Sequence, residues 1–85
     1  MKLSEMSREH LIALAQHELA LSDDEITEIV MNDGIRRLYW RTFDSVGSVL
    51  ITDNMVIFSS DDYHGKQHAS IETLRFIAGL GYDIL

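Results

Sequence analysis

Apolar residues recur at helical spacing near the start of the chain and give way to strand-like runs in its middle. At about 100° per residue, Leu11, Ile12, Leu14, Ala15 and Leu19 share one helix face, and Glu9, His10, Gln16 and His17 share the other. Ser7 can receive the orphan amides of a first turn, and Met6 and Leu11 stand at the spacing of a hydrophobic staple. This pattern predicts a helix over residues 8–20. Ser22-Asp23-Asp24-Glu25 reads as a capping box, Leu21 and Ile26 as a second staple, and Gly34 as a left-handed helix ending. A second helix over residues 23–32 follows, with Ile26, Ile29 and Val30 inward and Asp24, Thr27, Glu28 and Met31 outward. Two helices joined this closely predict an αα-hairpin.

Past Gly34 the pattern changes to β-branched and aromatic residues with turns between them. Strands are expected at 35–43, 48–52 and 55–60, with a turn at 44–47 and Asp53-Asn54 as a two-residue hairpin loop. Period two places Leu38 and Trp40 on one strand face and Arg37, Tyr39 and Arg41 on the other. Residues 61–67 form a polar loop. A last helix spans about 68–78 and ends near Gly79, with Ile71, Leu74, Phe76 and Ile77 pointing in several directions. Residues 82–85 are a short strand or an ordered tail. The expected fold is α+β. An N-terminal αα-hairpin and a C-terminal helix pack on a three-stranded antiparallel β-meander, in one domain of 85 residues.

Charge divides the chain unevenly. Residues 1–33 hold Glu5, Glu9, Glu18, Asp23, Asp24, Glu25, Glu28 and Asp33 against Lys2 and Arg8; residues 34–60 hold Arg36, Arg37 and Arg41 against Asp44 and Asp53. The net charge of −7 disfavours general binding to phosphate backbones and favours a partner with a basic surface. An apolar fraction of 46% suffices for a core, and there is no cysteine for disulfides, thiolate metal sites or thiol catalysis. No stretch has the length and apolarity of a membrane span, and the expected location is cytoplasmic.

Four constellations bear on function. The outward residues Asp24, Thr27, Glu28 and Met31 of the expected second helix form an acidic ridge with an adaptable methionine, which suits protein recognition. Carboxylates spaced along such a helix can also imitate phosphates, making a nucleic-acid-binding protein a possible target class. A helix-turn-helix reader would turn Asp24, Glu25 and Glu28 toward DNA, which argues against that role. Arg37, Tyr39 and Arg41 could clamp a phosphate or stack a base, although internal pairing with the acidic helices is the expected use. His64 and His68 are four apart, but Gly65 between them opposes the helix a metal pair needs, and His10 and His17 are about 10 Å apart along their helix; no metal and no cofactor is expected. Serine, histidine and aspartate occur in no nucleophile-elbow context and the glycines are scattered, so no enzyme is expected.

In size, acidity and lack of cysteine the chain resembles the broad group of small inhibitor proteins: immunity proteins, antitoxins and phage-encoded inhibitors. The resemblance rests on no motif and transfers no functional residue. The expected function is non-catalytic binding of a protein partner, with inhibition by occluding a basic surface as its sharpest form. A nucleic-acid-binding module using the basic-aromatic strand face is the alternative, and self-association is compatible with either.

Overall fold

The computed structural model describes residues 1–61 and 66–84, and of residues 66–68 the backbone course. Helix α1 (Arg8–Leu19) begins where the sequence places it. The Ser7 hydroxyl accepts the His10 amide, and the helix ends at Ala20 in the left-handed conformation, φ 53°. Leu11, Leu14 and Ala15 are fully buried, and Ile12 and Leu19 pack at the margin of the core. Strands β1 (Ile26–Asn32), β2 (Ile35–Arg41), β3 (Val46–Ile51), β4 (Val56–Ser60) and β5 (Lys66–His68) follow, then α2 (Ile71–Gly79). All neighbours in the sheet are antiparallel and the spatial order equals the chain order, so among the described residues the sheet is a five-stranded meander. The α+β class is the expected one. The expected arrangement of three strands and an αα-hairpin is not.

The main correction concerns residues 23–32, where a second helix is expected. The capping-box residues are engaged, since the Ser22 amide donates to Glu25 Oε1 at 2.8 Å, but they close only a 3₁₀ turn over Asp23–Glu25. The chain then extends into β1. Four of its seven residues, Ile26, Thr27, Ile29 and Val30, are β-branched, which favours a pleated strand. Asp33-Gly34, read as a helix ending, is a two-residue hairpin loop between the paired residues Asn32 and Ile35, with Gly34 at φ +78°. Asp-Gly between apolar runs is a strong hairpin signal. The i, i+3 spacing of Ile26 and Ile29 has a strand explanation too. A bulge at Thr27 lets Ile26 pair with Trp40 and Ile29 with Leu38, so the two share a face.

The other boundaries shift by a few residues. β2 stops at Arg41, the turn occupies residues 42–45, and Gly47 lies inside β3. The hairpin around Asp53-Asn54 stands as expected, with the Thr52 amide donating to the Met55 carbonyl. His68 belongs to β5 rather than to the last helix, which starts after the N-cap Ser70. Residues 82–84 form no strand, yet Tyr82 is buried.

The two helices cover one face of the sheet. Leu38, Trp40, Val49, Ile51, Val56 and Phe58 meet Leu11, Leu14, Ile77 and Tyr82 in the core, together with Leu3 and Met6 from the N-terminal segment. Arg36 anchors that segment: its Nε donates to the Met6 carbonyl at 2.8 Å and its Nη1 to the Asn32 carbonyl at 2.7 Å. Trp40, the sole tryptophan, is buried as alternation predicts, and among the described residues its indole N–H has no hydrogen-bond partner. Its fluorescence should therefore be blue-shifted in the native state and poorly quenched by iodide. A red-shifted, readily quenched spectrum would mean that the faces of β2 are reversed.

Candidate interaction surface

The acidic segment begins at the 3₁₀ turn. Asp23 accepts a hydrogen bond from Gln16 Nε2 at 2.7 Å, and the Ser22 hydroxyl donates to Asp24 Oδ1 at 2.7 Å. The Ser22 hydroxyl holds the Asp24 carboxyl below the usual carboxylate range, so this exposed group is ionised at neutral pH. β1 then runs along one edge of the sheet, with β2 its only partner among the described residues. Its outer main-chain groups are the kind of edge that an extended segment can join.

The four residues of the expected ridge are all exposed, but they do not share a face. Asp24 lies in the turn. Thr27 sits at the bulge, and its hydroxyl donates back to the Tyr39 carbonyl at 3.3 Å. Glu28 pairs with Tyr39 and so belongs to the face without helices; Met31 pairs with Arg36 and belongs to the helix-bearing side. They form an acidic edge, not a helical ridge. The helical carboxylate spacing that would imitate phosphates is absent from this segment.

Arg37, Tyr39 and Arg41 do lie together on the open face of β2. Arg37 Nη1 donates to the Tyr39 hydroxyl at 3.1 Å, and the guanidinium carbon lies 5.9 Å from the Tyr39 ring centroid. Internal pairing with acidic helices is not their use. The helices lie across the sheet, and among the described residues no ion pair joins these arginines to a carboxylate. In register, the same face carries Val30, Arg37, Leu50 and Ile57 in one row and Glu28, Tyr39, Ser48 and Ser59 in the next.

Sequence reasoning missed Phe43. Expected at the end of a strand, it stands in the β2–β3 turn and is fully exposed, at 105% of its reference area. Its neighbours Thr42, Asp44 and Ser45 are turn-forming types and were the available signal. A shallow recess of about 380 Å³ opens over the end of β2 beside this turn, bordered by Thr27, Tyr39, Arg41, Val46 and Ser48.

The histidines divide. His10 Nδ1 lies 2.7 Å from the Tyr82 hydroxyl, and His17 stacks on Phe76 with ring centroids 4.1 Å apart. The expected loop with Asp62, Tyr63 and His64 lies outside the described residues, as does the side chain of His68. Among the described residues no group of three or more His, Cys, Asp or Glu side chains could hold a metal ion. Among them, no helix is long and apolar enough to cross a membrane. No known protein family, curated protein or solved structure matches this chain.

Proposed function

We propose that this protein is a small, acidic, non-catalytic binding module of the inhibitor type, whose exposed acidic edge docks on a basic surface of a protein partner. The observation that carries this reading is the sheet edge formed by β1 and the turn before it, where Glu28 and Asp24 are exposed with no cation paired to them among the described residues. The net charge of −7 steers a basic partner toward the chain. The edge strand then offers main-chain hydrogen bonds to an extended segment of that partner, with side chains of β1 reading alternate residues. No cofactor is needed.

A second reading is supported by the clustering of Arg37, Tyr39 and Arg41 on the open sheet face, where arginine and tyrosine can grip a phosphate and stack a base. Glu28 in the Tyr39 row and the overall acidity oppose it.

The test is a pull-down with and without nuclease, followed by affinity measurements on two double variants. Asp24→Lys with Glu28→Lys should lower the unfolding midpoint only slightly, because both groups are exposed and the loss is one hydrogen bond from the Ser22 hydroxyl. It should weaken a basic partner by several kcal/mol where contacts are close. Arg37→Glu with Arg41→Glu should matter much less. Loss of binding in the arginine variant alone, or a partner released by nuclease, transfers the function to the open face.

A further inference from the structure

Resting on the acidic-edge reading, we infer that Phe43 is the apolar anchor of the contact, and that it fits a cationic protein surface with a pocket for one phenyl ring. Single exposed apolar residues are ordinary; what distinguishes Phe43 is how it is held. The Thr42 amide donates to the Ser45 carbonyl at 2.8 Å, and the Thr42 hydroxyl to Asp44 Oδ1 at 3.2 Å. Beneath the tip, the Ser45 hydroxyl and the Val46 amide donate to Asp61 Oδ1 at 2.9 and 3.1 Å, and Ser45 is buried. A turn braced in this way fixes the backbone that carries the ring, so little backbone entropy is left to lose on binding.

The surroundings specify the partner. Ile26 pairs with Trp40, so the residues before Ile26 and those after Trp40 run out from the same end of the sheet. The acidic turn Asp23–Glu25 therefore lies at the end that carries Phe43, and Asp44 adjoins the ring in sequence. Val46, also exposed, extends the apolar surface. Recesses adjoin both flanks of the turn: that of about 380 Å³ beside Arg41 and Val46, and one of about 200 Å³ beside Leu21, Thr42 and Asp44. An apolar knob within a polar, mostly anionic rim is the anatomy of an interface hot spot. A second copy would bring two anionic ends together, and an anionic lipid surface would repel the rim; a basic protein surface satisfies both knob and rim.

The test selects a displayed library of random disulfide-cyclised peptides on the immobilised chain, then measures the enriched peptides against variants. Peptides rich in lysine or arginine together with apolar residues are expected. Phe43→Ser should weaken them by about thirtyfold or more with an unchanged unfolding midpoint, and Asp24→Lys with Glu28→Lys should weaken them as well. Peptides lost on acid reversal but indifferent to Phe43→Ser overturn the anchor and leave the acidic edge standing. Peptides lost on Phe43→Ser but uncharged and indifferent to acid reversal refute the acidic edge and the basic partner together. Failure to enrich, or indifference to both variants, overturns the anchor. So does Phe43-dependent self-association in sedimentation equilibrium, which would make a second copy the occupant.

Discussion

Gly47→Ala is expected to lower the thermal unfolding midpoint by about 10–20 °C, corresponding to about 2–3 kcal/mol in a domain of this size. Gly47 lies in β3 opposite Trp40 on one side and Ser60 on the other. A β-carbon there would stand 2.2 Å from the Ser59 carbonyl oxygen and 2.4 Å from Cζ2 of Trp40. The first neighbour is backbone in a paired strand and the second belongs to a buried indole, so neither can yield without disturbing the sheet or the core. A glycine inside a strand marks such a close approach. Removing the flexibility of glycine from the unfolded chain works in the other direction, but by less than about 1 kcal/mol. Gly79→Ala is the control. Gly79 closes α2 with no atom within 4 Å of the added carbon, and the change should be neutral or mildly stabilising. Calorimetry on both variants checks the contrast. Equal midpoints would mean that Trp40 does not pack on Gly47.

Tyr82→Ala is expected to destabilise the protein by about 3–5 kcal/mol, as for other buried aromatics truncated to alanine, and Tyr82→Phe by about 1–3 kcal/mol. Tyr82 is 4% exposed, and its ring meets His10 edge to face with centroids 5.5 Å apart. Its hydroxyl accepts the Ser7 amide at 3.0 Å and lies 2.7 Å from His10 Nδ1. Ser7 is itself the N-cap of α1, so the hydroxyl ties the C-terminal segment to the start of the first helix. Phenylalanine keeps the packing and leaves the Ser7 amide without its acceptor; alanine removes both. Urea denaturation should rank the proteins wild type, Tyr82→Phe, Tyr82→Ala. A Tyr82→Ala protein as stable as wild type would mean that residues 82–84 do not belong to the core.

Of the candidate surface, the sequence revealed the residue types and their exposure but not their arrangement. Asp24, Thr27, Glu28 and Met31 are exposed as expected. On a helix they would share a face, whereas on a strand with a bulge at Thr27 they are split between two faces and a turn. The basic-aromatic trio was legible because strict alternation around the apolar pair Leu38 and Trp40 leaves one arrangement for Arg37, Tyr39 and Arg41. Phe43 was not legible as an exposed residue, because an aromatic after a β-rich run reads as more strand until the turn is located.

What the sequence determined by itself is local and periodic: α1 with its cap and buried face, the two faces of β2, the Asp53-Asn54 hairpin, and a C-terminal helix ending at Gly79. What only the tertiary structure decided is the state of residues 23–32. Its capping box, staple and glycine are each compatible with a helix and contribute about 1 kcal/mol or less apiece. Its β-branched residues and Asp-Gly turn are equally compatible with a hairpin. Pairing with β2 satisfies a whole row of main-chain groups and sets Ile29 beside the buried Leu38. Those gains come from residues outside the segment, in β2 and in the core on which it packs, and no signal within residues 23–32 measures them.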